Sequence, residues 1–301
     1  MAALLTRFIA GLFICGAGAA VFVRHADAQA ETEVKPQEWV REHRRVERME
    51  VPGRRKELST LNGAALFVGP GVDTDRAVPL LVHFHGAPWL IEQHVSAHLP
   101  QAALITIQLG AGSSVYGLPF SDQKLFADLI SEAARIAGAK LGWSSITLSG
   151  FSAGYGAIRA ILRHKSHFER VNGVLLLDGF HASYQPEGKP LSEGGVVSSR
   201  DIDSFLAFGR EAVKGRKNFV ITHSQIHPGT YASTTECTNE LLRELGLLRE
   251  ISRANGPMVM QQLSRAGKRR LRVFGYAGET AADHVDHLHA MSYWFQFLGV
   301  R

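Results

Sequence analysis

The stretch Ser145-Ile146-Thr147-Leu148-Ser149-Gly150-Phe151-Ser152-Ala153-Gly154-Tyr155-Gly156-Ala157-Ile158-Arg159-Ala160-Ile161-Leu162 changes period part-way along. Residues 145–149 read as a short buried strand, and 155–162 carry apolar residues at helical spacing. Between them lies Gly150-Phe151-Ser152-Ala153-Gly154, a Gly-x-Ser-x-Gly pattern. A chain that passes so abruptly from strand to helix must turn sharply and place the serine at the tip in a strained conformation. Side chains at the two flanking positions would collide with that turn, which is why both are glycine. Small Ala153, Gly156 and Ala157 let the outgoing helix pack closely. The plain alternative is an ordinary glycine-rich strand-to-helix turn.

Outward from this point the chain alternates. Upstream, strands are expected at 64–68, 78–84 and 102–108, followed by a helix over 122–141. In that helix Leu125, Phe126, Leu129, Ile130, Ala133, Ile136 and Ala137 share one face. Downstream, strands are expected at 173–177, 218–222 and 271–276, with helices at 234–248 and 283–298. Short all-apolar strands separated by helices predict an α/β fold with a mostly parallel central sheet and helices on both faces. Residues 184–217 are richer in Gly, Ser and charge and form a candidate cap or lid. Residues 31–58 read as a polar, partly helical lead-in, so the folded domain is expected over 59–301.

The Gly150–Gly154 pattern resembles the nucleophile elbow of the α/β-hydrolase superfamily, and the element order from about residue 60 resembles that fold. The resemblance implies a serine hydrolase with Ser152 as nucleophile. In that family a His-Gly pair after the third strand precedes a residue whose amide helps hold an oxyanion. Here His85-Gly86-Ala87 stands there, which nominates the amides of Ala87 and of Ala153; Pro88 has no N–H to offer. The family's base follows the last strand, where His284, His287 and His289 compete. His284, after Ala282-Asp283, is preferred and His287 is the alternative. The acid usually follows the strand at 218–222, but no carboxylate occurs there before Glu236. One strand earlier, Leu175-Leu176-Leu177-Asp178 ends an apolar run in a charge that needs a partner. Asp178 is therefore the preferred acid and Glu236 the alternative. The order Ser152, Asp178, His284 is the serine–acid–histidine order of this fold.

Composition bounds the alternatives. The 301 residues are 45% hydrophobic and 20% charged, enough for a full core and unlike collagen-like or disordered chains. The formal net charge is +5, but the densest basic run, 41–55, is interleaved with Glu42, Glu47 and Glu50, so no nucleic-acid partner is expected. Fourteen histidines raise a second reading, a metal-dependent hydrolase built on His83, His85, His223, His227 and the 283–289 run. No His-Glu-x-x-His helix supports it, so neither metal nor cofactor is expected. A serine peptidase of the same fold and a non-catalytic binding protein are further readings. Trp89, Tyr155, Phe180, His181, Tyr184 and Tyr231 follow the motif segments and are candidate pocket walls, suited to small-molecule, glycan or lipid esters.

At the N-terminus, Arg7 precedes an apolar run over 8–23, followed by Ala26-Asp27-Ala28-Gln29-Ala30. This has the outline of a secretory signal with cutting after Ala28 or Ala30, which predicts export to the periplasm or beyond and no stable membrane insertion afterwards; an uncleaved N-terminal anchor is the alternative reading. Cys15 would leave with it. Cys237 alone cannot form an internal disulfide, so the fold must rest on its core.

Overall fold

The computed structural model describes residues 43–300. The leader-like segment 1–30, with Ala28, Ala30 and Cys15, lies outside the described residues. No helix among the described residues is long and apolar enough to cross a membrane.

In chain order the strands are β1 Arg54–Glu57, β2 Ala64–Val68, β3 Val78–Phe84, β4 Ala103–Ile107, β5 Trp143–Phe151, β6 Val171–Leu177, β7 Tyr184–Gln185, β8 Val196–Val197, β9 Asn218–His223, β10 Glu250–Ile251, β11 Gln262–Lys268 and β12 Leu271–Tyr276. The helices are α1 Pro88–His98, α2 Ser113–Gly117, α3 Gln123–Ala137, α4 Tyr155–Arg163, α5 Lys165–Arg170, α6 Ser199–Val213, α7 Thr234–Glu244, α8 Ala281–His289 and α9 Ser292–Phe295. The main sheet has the order β1-β2-β4-β3-β5-β6-β9-β12-β11-β10. Strands β4 to β12 of that order are parallel, and antiparallel pairs close both edges.

The central strands are apolar throughout because both of their faces are covered. In β3, Leu80, Val82 and Phe84 face one core while Leu81 faces the other; in β6, Val174 and Leu176 oppose Leu175 and Leu177. The first core is completed by Phe126 and Leu129 of α3, Ile158 and Ile161 of α4, Phe205 and Phe208 of α6, and Leu241 of α7. The second is completed by Leu90 and Ile91 of α1, Leu288 of α8, and Trp294 and Phe295 of α9. Because β3, β5, β6, β9 and β12 run parallel, the loops that follow them emerge at one edge of the sheet. Residues 85–87, 152, 178, 224 and 278–284 all lie in those loops or the first turns beyond them, where ligands of open α/β sheets bind.

Several boundaries differ from expectation. The lead-in is not helical over 43–53, and Arg54–Glu57 is an exposed edge strand, so the sheet begins inside the segment read as linker. Its run of charges suits an edge, where they oppose pairing with another chain. The candidate cap at 184–217 divides in two. Only the hairpin of β7 and β8 lies outside the main layers, because Ile202, Phe205 and Phe208 bury α6 against the sheet. The terminal helix is broken: α8 ends at His289 and α9 starts at Ser292. Helix α3 begins where the Asp122 carboxylate accepts from the Lys124 amide at 2.8 Å, and ends at Gly138, φ 78°.

Candidate active site

Strand β5 runs to Phe151, and Ser152 then takes φ 47°, a left-handed conformation rare for a residue with a side chain. A single short turn, Ser152–Gly154, leads into α4. Gly154 permits this, since a Cβ there would lie 2.2 Å from the carbonyl oxygen of Phe84 at the end of β3. The loop after β6 closes in from the other side, where a Cβ on Gly179 would lie 2.2 Å from the Ser152 carbonyl oxygen. The strained serine is thus wedged between the ends of two neighbouring strands, which is what holds such a conformation against relaxation. A parallel sheet of this strand order, carrying a strained serine at the tip of a strand–turn–helix bend, decides the architecture. This is the α/β-hydrolase fold.

In this α/β-hydrolase fold, Asp178 ends β6 with φ 44° and is almost wholly buried. Its Oδ1 accepts from the Ser224 amide at 2.8 Å, and its Oδ2 accepts from Ser224 Oγ at 2.7 Å. The same Oδ2 lies 2.7 Å from His284 Nδ1. Burial alone would raise the carboxyl's pKa. The neighbouring His287, the His284 contact and the Ser224 amide outweigh it and hold the group well below the usual carboxylate range. An ionised Asp178 accepts only, so Nδ1 of His284 carries the proton and, in the neutral imidazole, Nε2 is left as an acceptor.

His284 sits in the first turn of α8. Thr280 caps this helix: Thr280 Oγ1 accepts from the Asp283 amide at 3.2 Å while Asp283 Oδ2 accepts from the Thr280 amide at 3.0 Å. The His284 ring packs on Phe151, the residue before Ser152, with centroids 4.5 Å apart. Acid, imidazole and elbow are therefore contiguous. Ser152 Oγ makes no hydrogen bond to a described residue; nucleophile–imidazole bonds are often long and tighten only around substrate.

The loop after β3 is held by neutral histidines. His83 is buried, and burial pushes its pKa down to about 3. Its Nε2 donates to the His85 carbonyl at 2.9 Å, and its Nδ1 accepts from Ser149 Oγ, 3.0 Å away. This fixes His85 at φ 68°. His85 stacks on Phe151 at 5.9 Å and meets the Tyr116 hydroxyl at 2.9 Å. The Gly86 amide donates to Gln108 Oε1 at 2.8 Å. The Ala87 amide donates to no described residue, and Ala153, the residue after the serine, lies in the first turn that leads into α4.

The alternatives sit elsewhere. His287 is fully buried between Tyr276 and Trp294, with Nδ1 2.7 Å from Thr222 Oγ1, and it backs Asp178 from within the core. Glu236 closes the cap of α7, accepting from the Ser233 amide at 2.7 Å and from the Tyr184 hydroxyl at 3.0 Å. The histidines of the metal reading do not converge as a set. His223, pushed down to about 3 by burial and by Arg249, has Nε2 2.8 Å from Arg249 NH1 and Nδ1 2.7 Å from Thr235 Oγ1. His227 lies by Glu236. Among the described residues, His43, Asp283 and Asp286 come close enough to share an ion, but Arg45 also binds Asp286 there. Burial raises the pKa of the Cys237 thiol, well away from a reactive thiolate.

A cavity of about 540 Å³ adjoins Ser152, lined in part by Ser113, Tyr155, Arg159, His181, Asp201 and Tyr231. Of the pocket walls expected from sequence, Tyr155, His181 and Tyr231 line it. Phe180 and Tyr184 are core side chains, and Trp89 lies beside Arg48 and Arg55. Ser224 and Gln108 went unnoticed in the sequence, because nothing local marks them and each acts through a partner distant along the chain; His83, assigned there to the metal reading, instead braces the loop after β3. Outside the site proper, the N-terminal segment grips α8. Arg45 and His43 bind Asp286, and the Val46 amide donates to His289 Nδ1 at 3.0 Å.

No family model and no curated protein matches this chain. Solved structures similar to it include a feruloyl esterase module from Clostridium thermocellum (12% identity, 82% of this chain and 89% of that one, TM-score 0.44). An S-formylglutathione hydrolase from Staphylococcus aureus is 13% identical over 82% of this chain and 96% of its own, with a TM-score of 0.44. An α/β-hydrolase fold protein of unknown function is 13% identical over 83% and 96%, with a TM-score of 0.43.

Proposed function

We propose that the protein is a serine hydrolase of carboxylic esters, acting through Ser152, His284 and Asp178 by way of an acyl-enzyme. The observation that carries this reading is the 2.7 Å contact between His284 Nδ1 and Asp178 Oδ2, with the imidazole lying on the residue that leads into the strained serine. Ser152 Oγ attacks the ester carbonyl while His284 Nε2 takes its proton. Asp178 holds the tautomer and stabilises the imidazolium. The amides of Ala87 and Ala153 receive the oxyanion, a contribution of several kcal/mol in sites of this type. His284 then protonates the leaving alkoxide, and a water activated by the same imidazole releases the acid and restores Ser152.

A fluorophosphonate probe tests this directly. Intact-mass and peptide analysis are expected to find one adduct, on Ser152, with loss of p-nitrophenyl acetate turnover. Ser152→Ala should melt as the wild type does and neither label nor turn over. Labelling at another residue, or turnover that survives in a contaminant-free variant, would overturn the assignment. We further propose that residues 1–30 direct export and are removed after Ala28 or Ala30; N-terminal sequencing of protein from the extracytoplasmic fraction checks this.

A further inference from the structure

The wall of the cavity beside Ser152 carries an ion pair, Arg159 and Asp201, whose members make no hydrogen bond to each other. Arg159 NH1 lies 3.8 Å from Asp201 Oδ1, too far for a hydrogen bond, and both side chains are about four-fifths covered. Asp201 Oδ2 is held by the Ser183 amide at 2.9 Å, while Oδ1 accepts no hydrogen bond from a described residue. Arg159 stands over the Tyr155 ring at 5.2 Å and makes one long bond, 3.4 Å, to the His181 carbonyl; its Nε and NH2 donate to no described residue. Tyr155 in turn reaches Ser113 Oγ at 3.1 Å. Tyr231, partly exposed, offers an aromatic face on the same wall.

This wall discriminates among ester classes. A long acyl chain lying in the cavity would strip water from a guanidinium and a carboxylate and replace none of their hydrogen bonds. An anionic group drawn to Arg159 would meet Asp201 within the same few ångströms. A neutral ligand with neighbouring hydroxyls satisfies both, since a hydroxyl donates to Asp201 Oδ1 and accepts from Arg159. The exposed tyrosine covers the apolar C–H face that such ligands also present. We propose that this cavity binds a carbohydrate, and that the substrate is an O-acylated saccharide with the sugar as the leaving alcohol. The inference rests on the serine-hydrolase reading above. The acyl C–O bond breaks as the Ser152 ester forms, the sugar oxygen takes its proton from His284, and water then releases the carboxylic acid.

The test compares partially O-acetylated xylo-oligosaccharides with p-nitrophenyl acetate in wild type, Asp201→Asn and Arg159→Gln. Thermal melts and fluorophosphonate labelling serve as folding controls. The ratio of kcat/KM for the saccharide to that for p-nitrophenyl acetate is expected to fall about tenfold or more in each variant, because a lost hydroxyl partner is left unpaired in the site. In parallel, deacetylated xylo-oligosaccharide is titrated into Ser152→Ala by calorimetry; binding should be measurable there and lost in the Asp201→Asn double variant. An unchanged ratio would overturn the proposal, since a merely structural ion pair lowers both activities alike. So would p-nitrophenyl ester hydrolysis without saccharide turnover or binding. Saccharide binding without labelling of Ser152 would uphold the sugar site and sink the hydrolase reading instead.

Discussion

Replacing Asp178 by asparagine removes one charge and leaves the shape intact, and the surroundings dictate how the amide must sit. The Ser224 amide donates to Oδ1 at 2.8 Å, so the asparagine oxygen has to occupy that place. Its NH2 group then takes the position of Oδ2, facing His284 Nδ1 across 2.7 Å. A donor there forces Nδ1 to be the unprotonated nitrogen and puts the proton on Nε2, the nitrogen that in the proposed mechanism accepts from Ser152. The imidazole is held in the wrong tautomer, and no carboxylate remains to stabilise its cation. Losses of this kind lower kcat by about 10³–10⁴-fold, equivalent to about 4–5.5 kcal/mol in the barrier. Steady-state hydrolysis of p-nitrophenyl acetate, with active sites counted by phosphonate titration, measures it. If Asp178→Asn retains more than about a tenth of wild-type kcat/KM, or if Glu236→Gln costs as much, the reasoning fails.

Three further outcomes are expected. Ala87→Pro deletes a proposed oxyanion donor at φ −70°, a value proline itself prefers, so kcat should fall about 10²–10³-fold while the melting temperature barely moves; a fall below threefold, roughly 0.7 kcal/mol, would remove Ala87 from the site. Stability should decline on mild acidification, because burial lowers the pKa of His83 and of His223 to about 3 each. The unfolded chain then binds more protons below about pH 6.5, so stability is full above that value and lost as pH falls; His83 alone accounts for about 2 kcal/mol by pH 5, and a melting temperature flat from pH 7 to 5 would contradict this. Dialysis against a chelator should leave ester turnover intact, since the ring nitrogens of His83 and His223 already have protein partners; activity lost to the chelator and restored by zinc would favour the metal reading.

Much of the fold was legible because its central strands are buried on both faces and therefore uniformly apolar. Leu271–Tyr276 falls where expected, and β3 likewise. What escaped notice had a mixed pattern. Helix α1 buries Glu92, Gln93 and His94 among its apolar residues, which erases the polar face that marks a surface helix. Strand β11, Gln-Leu-Ser-Arg-Ala-Gly-Lys, lies near the antiparallel edge and needs little apolar material. Helix α6 has the right spacing but was hidden by its Gly- and Ser-rich approach. At the candidate site, Asp178 was legible through the cost of ending an apolar run in a charge, and the structure brings it to His284. His284 and His287 were hard to separate, because residues three apart on a helix occupy neighbouring faces. What distinguishes them is tertiary: His284 meets Asp178 and lies on Phe151, while Tyr276 and Trp294 enclose His287. Ser224 and Phe151 had no local signature at all.

The grip of Arg45 and His43 on Asp286 ties the amino end of the folded body to the helix that bears the imidazole. A protease that clipped the chain just ahead of Val46 would take two of the partners away from a nearly sealed-off carboxylate two residues from His284. Cutting there would then be felt as misalignment at the imidazole, so residues 43–46 are a working part of the site's scaffold and not mere packaging.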